Sequence, residues 1–278
     1  EETNLSWARK MEKEGVHVIF GVPGLKTHCK LAMVVRKEAD GIRRYCHLST
    51  GNYNDRTSQL YGDLGMFTCR EEITEEVAAV FDILTGYAEP RGLSHLLIAP
   101  YNMRPEFIRR IRREAENVQA GRRAGIIAKM NSLVDPEIID ELYLASMAGV
   151  PIQLIVRGIC CLKPGVPGLS ENITAISIID RFLEHARIYI FENDGHPEYF
   201  LASADWMPRN LDRRIEVGFP VLAPALQQQI REIIDLQLAD NVKARVLNPD
   251  CTNVRKKCSG TPVRSQEALY EMAKRYAR

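Results

Sequence analysis

The stretch that decides the fold reads THCKLAMVV at residues 27–35, and a related stretch reads EHARIYIF at residues 184–191. In each copy a histidine stands two residues before a basic residue, at the entrance to an apolar run typical of a β-strand. An Asp-Gly pair after each run favours a hairpin turn. A return strand and a polar loop follow, led by Thr50 in the first copy and Ser203 in the second. The chain is therefore predicted to contain one β-hairpin unit twice.

Spacing within the repeat places its polar side chains together. Residues i and i+2 of a strand project from the same face, so His28 points with Lys30 and His185 points with Arg187. A return strand can bring polar loop residues beside them: Thr50, Asn52, Ser203 and Asp205. Two such units, packed across a pseudo-twofold axis, would gather two imidazoles, two cations and several hydrogen-bond donors. Phosphoryl transfer needs such a set, namely a nucleophile, a partner for the leaving oxygen and positive charge.

Around the first copy, three strands are predicted at residues 17–22, 31–36 and 44–49. A helix follows, with Thr74 as its cap and Gly86 as its end. The stretch 86–94 carries Gly, Pro and charge and is predicted to be a linker. We therefore expect two domains, residues 1–90 and residues 91–278.

The second domain opens with a β-α-β-α-β pattern between residues 96 and 156, which favours parallel pairing. Its first helix is predicted to begin at Pro105, and its second at Asp135-Pro136. Later elements are a helix near 173–183, strands near 188, 199 and 217, and a helix at 224–238. The tail after Lys243 is basic and is predicted to be irregular. The expected fold is α/β, with mixed, largely parallel sheets flanked by helices.

Composition limits the classes of function. The 278 residues are 45% apolar and 26% charged, as in soluble globular proteins. Apolar runs fall far short of the roughly 20 residues that span a bilayer, and seven cysteines at irregular spacing favour a reducing compartment. We expect a cytoplasmic protein, free or peripheral to the membrane. The net charge of +1 attracts no polyanion globally, so phosphate must be bound by local clusters.

The first copy resembles the half-site of the phospholipase D superfamily, because its His-x-Lys is followed by the loop TGNYN at residues 50–54. There are two departures from the superfamily pattern. Arg36 stands where the superfamily has an Asp, and Arg187 replaces its Lys in the second copy. The resemblance implies two phospholipase-D-like halves related by a pseudo-twofold axis.

Longer strings resemble the bacterial polyphosphate kinase family over essentially the whole chain, at residues 24–30, 49–54, 154–162, 189–193 and 203–207. The resemblance implies the two C-terminal domains of that family, without its N-terminal and head domains and without the start of the first C-terminal domain. It also implies ATP or ADP and inorganic polyphosphate as substrates, no nucleic acid, a homo-oligomer, and Mg²⁺ as cofactor. The arginines that the family associates with magnesium, and a contact to the nucleotide base, would lie before Glu1. No metal ligand is therefore assigned in this chain.

Carried over residue by residue, the resemblance makes His28 the phosphorylated histidine and places His185, Tyr61 and Arg157 in the ATP site. The repeat adds further candidate phosphate-binding residues: Lys30, Arg187, Asn52, Asn54 and Ser203. Arg157 follows an apolar strand at the end where α/β sheets gather ligands, and its guanidinium can hold a phosphate or form a surface ion pair. Tyr61 can donate to phosphate, stack on a base, or only pack. Lys129 can line a polyanion channel or lie on a solvated face.

The sequence thus predicts reversible transfer of the terminal phosphate of ATP to inorganic polyphosphate through a phosphohistidine at His28, with His185 as general acid/base or phosphate ligand. Two alternatives stay open. A phospholipase-D-like phosphodiesterase or nuclease would use the same histidines with water as the final acceptor. A catalytically silent module would bind polyphosphate without turnover.

Overall fold

The computed structural model describes residues 2–86, 92–257 and 260–276. Its helices are α1 (Glu2–Lys13), α2 (Glu71–Leu84), α3 (Met103–Gln119), α4 (Pro136–Met147), α5 (Pro208–Arg213), α6 (Pro224–Ala239) and α7 (Ser265–Tyr276). Its strands are β1 (Lys26–Thr27), β2 (Leu31–Glu38), β3 (Gly41–Ser49), β4 (Tyr61–Gly62), β5 (Gly65–Thr68), β6 (Leu97–Ala99), β7 (Ile126–Met130), β8 (Ile152–Val156), β9 (Ile173–Ile178), β10 (Leu183–Glu184), β11 (Arg187–Phe191), β12 (Glu198–Ala202), β13 (Arg214–Pro220) and β14 (Ala244–Leu247).

A large mixed sheet runs in the order β1-β13-β12-β11-β7-β8-β9-β14, and β6 also pairs with β13. The expected α/β class with mixed sheets is confirmed. The expectation of largely parallel pairing is wrong, because among the described strands of this sheet three pairs are parallel and five are antiparallel. The repeat unit is itself a hairpin, and consecutive strands joined by short turns pair antiparallel.

Helices cover both faces of the large sheet. On one face, α3, α4 and α5 pack over a core that includes the fully buried rings of Phe107, Tyr189 and Trp206. The ring centroids of Tyr189 and Trp206 lie 4.8 Å apart, within the range of favourable aromatic packing. On the other face, Val77 of α2 and Leu48 of β3 share one apolar cluster with α6 and the large sheet. The two predicted domains therefore bury apolar side chains against each other.

Both copies of the repeat fold as hairpins, as predicted. In the first, β2 pairs with β3 from Leu31↔Leu48 to Glu38↔Gly41. In the second, β11 pairs with β12 in the same antiparallel sense. Each hairpin begins within three residues of its histidine, so the two imidazoles stand at equivalent places in the two units.

Several predicted elements need correction. Residues 17–22 form no strand in the structure, since an apolar run becomes a strand only where a neighbour can bond to it. The helix predicted near 173–183 is wrong, because Ile173–Ile178 form strand β9, which pairs with β8 and β14. The tail after Lys243 is not irregular throughout, because it contains β14 and α7.

Two helix starts also differ from the prediction. Helix α2 begins at Glu71, so Thr74 lies inside it rather than capping it, and Pro105 is the third residue of α3. In contrast, Asp135 caps α4 as predicted and accepts a hydrogen bond from the backbone N–H of Ile138. Residues 87–91 of the predicted linker 86–94 lie outside the described residues.

The Asp135 cap generates a stability prediction. Asp135 is fully buried and also pairs with Arg104 at 2.8 Å, so Asp135→Ala should lower the free energy of unfolding by about 2–4 kcal/mol. Asp212 pairs with the same guanidinium but is 45% exposed, so Asp212→Ala is the matched control and should cost about 1 kcal/mol or less. Urea unfolding of the two variants checks this. Equal losses of unfolding free energy in Asp135→Ala and Asp212→Ala would show that the helix cap and the burial of Asp135 contribute little to stability.

Candidate active site

Two short parallel ladders join the copies of the repeat. Strand β1, which leads into His28, pairs with the start of β13, and strand β10, which leads into His185, pairs with β4. In each ladder, one strand is followed by a histidine and the other strand, which belongs to the other copy, continues into an acidic residue. The register sets His28 beside Glu216 and His185 beside Asp63. Each histidine is therefore paired with a carboxylate from the other half of the chain.

In the first pair, Nδ1 of His28 lies 2.9 Å from the carboxylate of Glu216, which is fully buried. The hydroxyl of Ser203 donates to the same carboxylate, and the backbone N–H of His28 donates to the carbonyl oxygen of Ile215 at 2.9 Å. Because a carboxylate accepts hydrogen bonds, Nδ1 carries the hydrogen in this assignment and Nε2 keeps its lone pair. Within the described part of the chain no hydrogen bond reaches Nε2 of His28.

In the second pair, Nδ1 of His185 lies 2.8 Å from Asp63, which also accepts from the hydroxyl of Thr50 at 2.7 Å. Here Nε2 is occupied, because a guanidinium nitrogen of Arg187 lies 3.0 Å from it. Burial lowers the pKa of His185, Asp63 opposes that shift, and the charges of Arg187 and Lys30 add to it, so the net change is downward. The lone pair at Nε2 of His185 is therefore engaged by Arg187, whereas Nε2 of His28 has no such partner among the described residues.

The two acids are candidate functional residues that the sequence reasoning missed. Each lies 13 positions after the hydroxyl residue of its own copy, Asp63 after Thr50 and Glu216 after Ser203. This equal spacing is present in the sequence and could have extended the repeat to include the carboxylates. The spacing alone does not show which histidine each acid contacts, because each acid is hydrogen-bonded to the histidine of the opposite copy.

The basic residues of the repeat are buried within the site. Lys30 is 6% exposed and its ammonium donates to the backbone oxygen of His28. Burial lowers the pKa of Lys30 to about 8, although Glu216 acts in the opposite direction. Arg187 is held by the carboxylate of Asp205, with its Nε 3.1 Å from an oxygen. Cations that are fixed in place and poorly hydrated interact strongly with an incoming anion.

Two residues implied by the resemblance also lie here. The ring of Tyr61 is 5.0 Å from that of His185. Arg157 follows β8, and its pKa is lowered by burial, opposed by the charge of Asp205 and reinforced by that of Arg187. Its Nε is buried and has no acceptor among the described residues. A buried donor without an acceptor is costly, and a phosphate oxygen would satisfy it.

Three other candidates are exposed or already engaged by neighbouring groups. Asn52 is exposed, and the side-chain oxygen of Asn54 accepts from the backbone N–H of Arg56 at 3.1 Å, which shapes the loop. Both remain predictions as phosphate ligands. Lys129 does not lie on a solvated face, because it is 3% exposed and pairs with Glu184 at 2.8 Å.

Magnesium was implied by the resemblance alone. Among the described residues, no group of three or more His, Cys, Asp or Glu side chains is placed to hold a metal ion. Mg²⁺ therefore stays a prediction from the resemblance.

The crossed histidines and the mixed sheet define a class of protein, the phospholipase-D-like α/β fold with a paired histidine site. Its fold resembles the crystal structure of phosphatidylserine synthase from Haemophilus influenzae, with a TM-score of 0.50 and 12% identity over 84% of this chain and 68% of that one. At that identity the likeness shows the fold alone. The crystal structure of polyphosphate kinase from Porphyromonas gingivalis is much closer, with a TM-score of 0.92 and 43% identity over 98% of this chain and 42% of that one.

Two family models match the sequence, polyphosphate kinase C-terminal domain 1 at residues 1–90 and polyphosphate kinase C-terminal domain 2 at residues 96–266. The chain belongs to the polyphosphate kinase family. It is 55% identical to the polyphosphate kinase of Thermosynechococcus vestitus over 91% of this chain and 34% of that protein. It is 52% identical to that of Synechocystis over 96% of this chain and 37% of that protein. The chain thus spans little more than a third of the length of these relatives.

None of the helices in the described ranges is long and apolar enough to span a bilayer.

The Asp63–His185 pair predicts a pH dependence of stability. Burial raises the pKa of Asp63, but the hydrogen bond from His185, its charge and the hydroxyl of Thr50 outweigh burial, so the pKa lies below its ordinary 3.8. A depressed pKa in the folded state adds stability above the unfolded-state pKa, and that stability is lost as pH falls through the folded-state pKa. Asp63→Asn should therefore be less stable by about 1–3 kcal/mol near pH 7, and the deficit should shrink below about pH 4.

Urea unfolding of Asp63→Asn between pH 3 and 7 measures this deficit. Asp82→Asn, at an exposed position of α2, is the control and should show no comparable trend. A deficit for Asp63→Asn that stays constant over the pH range would contradict the hydrogen bond between ionised Asp63 and His185.

Proposed function

We propose that this chain carries the phosphoryl-transfer site of a polyphosphate kinase, which moves the terminal phosphate of ATP reversibly to inorganic polyphosphate through a phosphohistidine at His28. The observation that carries the proposal is the difference between the two imidazoles. Nε2 of His28 is free of hydrogen bonds within the described residues, whereas Nε2 of His185 faces a guanidinium nitrogen of Arg187 at 3.0 Å. A nucleophile needs an available lone pair, and only the first imidazole offers one.

In the proposed first step, the Nε2 lone pair of His28 attacks the γ-phosphorus of ATP. An N–P bond forms as the bond to the bridging oxygen breaks, and the electron pair leaves with ADP. The imidazole becomes positively charged, and the buried carboxylate of Glu216 at Nδ1 stabilises that charge without taking the proton. Because the attacking imidazole is neutral, no base has to remove a proton beforehand.

In the second step, a terminal oxygen of polyphosphate attacks the same phosphorus and the N–P bond breaks, which restores neutral His28. Three cations neutralise the charge on the transferring group: Lys30, Arg187 and Arg157. His185 holds the transferring phosphate or serves as general acid/base, and either role requires Arg187 to leave Nε2 of His185 when phosphate binds. Phosphate would also supply the acceptor that Nε of Arg157 lacks.

The names of the relatives support the polyphosphate assignment, since both of the curated proteins compared above are polyphosphate kinases. The rival phosphodiesterase or nuclease would use water in the second step, and a silent module would omit both steps. Formation of ATP from polyphosphate and ADP separates the three. Magnesium and a homo-oligomeric assembly come from the resemblance and a cytoplasmic location from the cysteine pattern, and no step of the proposed mechanism depends on them.

The nucleophile is tested with γ-labelled ATP in the full-length protein. His28→Gln should abolish both acid-labile, base-stable labelling and turnover. His185→Gln should reduce turnover by about 10²–10⁴-fold while His28 stays the labelled residue. His196→Gln is the matched control, because His196 is exposed outside the site, and it should behave like the parent. Normal labelling in His28→Gln, or phosphate on His185 in the parent, would contradict the assignment.

Arg157 is tested by keeping its charge and removing its geometry. A guanidinium can hold two phosphate oxygens at once and an ammonium cannot, so Arg157→Lys should lower kcat/KM by about 10-fold or more. Lys257→Ala, at an exposed position of the basic tail, should leave it nearly unchanged. Kinetics at several salt concentrations compare the two variants. If Arg157→Lys kept the parent's kcat/KM while Lys257→Ala lowered it, phosphate would be bound by the basic tail rather than by Arg157.

A further inference from the structure

Strand β10, which leads into His185, is bound along both of its edges. It contains only Leu183 and Glu184, and on one edge it pairs with the equally short β4. On this edge the backbone N–H of His185 also donates to the carbonyl oxygen of Gly62 at 3.1 Å. Two strands that pair only with each other are at best marginally stable. The position of His185 therefore needs support from outside this ladder.

The other edge is occupied by the side chain of Gln266, at the start of α7. Its amide oxygen accepts from the backbone N–H of Phe182, the residue just before β10, at 2.9 Å. Its amide nitrogen donates to the carbonyl oxygen of Phe182 and to the carboxylate of Glu184, both at 2.8 Å. The amide thus bonds both backbone groups of one residue, as a neighbouring antiparallel strand does. Gln266 takes the place of a third strand.

The two residues before Gln266 fix the place from which its side chain reaches. The backbone N–H and the hydroxyl of Ser265 both donate to the fully buried carboxylate of Asp240, at 2.8 and 2.7 Å. Arg264 pairs at 2.7 Å with Asp180, whose side chain is 2% exposed. Three consecutive residues of the tail are therefore bonded to the second domain, and the amide of Gln266 starts from a fixed point.

The register of β10 decides where His185 lies. Glu184 is aligned with Gly62, so the next residue of each strand comes into contact, and Nδ1 of His185 lies 2.8 Å from the carboxylate of Asp63. Loss of the outer edge would let the short ladder separate and would move His185 away from Asp63. A displacement of about 1 Å in a reacting group can cost about 100-fold in rate. We infer that Gln266 is a positioning residue for His185, which it holds against Asp63 through β10.

This inference rests on the role of His185 in the proposed function. A plainer interpretation of the same contacts is that they only dock α7 on the domain. The two interpretations differ in one respect. Docking alone would lower activity whatever residue stands at position 185, whereas a positioning residue loses its effect once His185 is replaced. The departure of two substitutions from additivity measures such coupling.

The first measurement is hydrogen exchange, followed by mass spectrometry, on the full-length protein. Gln266→Leu keeps the approximate size of the side chain and removes its hydrogen bonds, so the amides of residues 183–186 should exchange about tenfold faster or more. The amides of β11 and β12 should exchange as in the parent, which would show an intact fold. Gln228→Leu, at an exposed position of α6, makes the same chemical change and is the matched control.

The second measurement is ATP formation from polyphosphate and ADP by the full-length protein. Gln266→Leu should lower kcat by about 10–100-fold while His28 stays the labelled residue. In a protein that already carries His185→Gln, the same substitution should change kcat by less than about twofold, because the side chain to be positioned is absent. Gln228→Leu should leave kcat unchanged in both proteins.

Three results would each overturn the inference: parent-like exchange of residues 183–186 in Gln266→Leu, a parent-like kcat in that variant, or the same fold loss of kcat with and without His185. The last of these would mean that the tail only docks. A full-length parent that forms no ATP would refute the proposed function and the catalytic part of this inference together. The exchange rates would then still show whether Gln266 holds β10.

Discussion

Each histidine of the site is hydrogen-bonded to a carboxylate from the other copy of the hairpin unit, and the rest of the site depends on this crossed pairing. His28 is paired with Glu216 and His185 with Asp63, across 188 and 122 positions of sequence. The pairing fixes which ring nitrogen carries the proton in each imidazole. It also requires the two copies to be docked through their parallel ladders, so the site exists only when both halves are folded together.

Burial of charge is the second constraint. Lys30 and Arg187 are removed from water, which costs free energy unless each finds partners. Asp205 satisfies Arg187, whereas Lys30 donates to a backbone oxygen and has a lowered pKa. Arg157 keeps one donor without an acceptor. Of these three cations, only Arg187 is paired with a carboxylate among the described residues. The positive charge of the other two favours binding of an anion such as phosphate.

Much of the fold could be predicted because its signals are local. The apolar run and the Asp-Gly pair after each histidine predicted both hairpins, and Asp135-Pro136 predicted the start of α4. The failures occurred where local signals conflict with long-range contacts. The segment of β9 carries apolar residues that also suit a helix, and only its pairing with β8 and β14 makes it a strand. Residues 17–22 show the reverse, an apolar run that finds no neighbouring strand in the structure.

The sequence by itself determined the repeat, the two histidines with their basic partners, and the family resemblance, because these depend on residue types and short spacings. The tertiary structure alone decided which carboxylate faces which imidazole, since docking of the copies is a long-range event. It also decided that Arg187 occupies Nε2 of His185 while Nε2 of His28 stays open. Strand periodicity shows which face a side chain takes, but only the packing of distant segments shows what lies opposite that face.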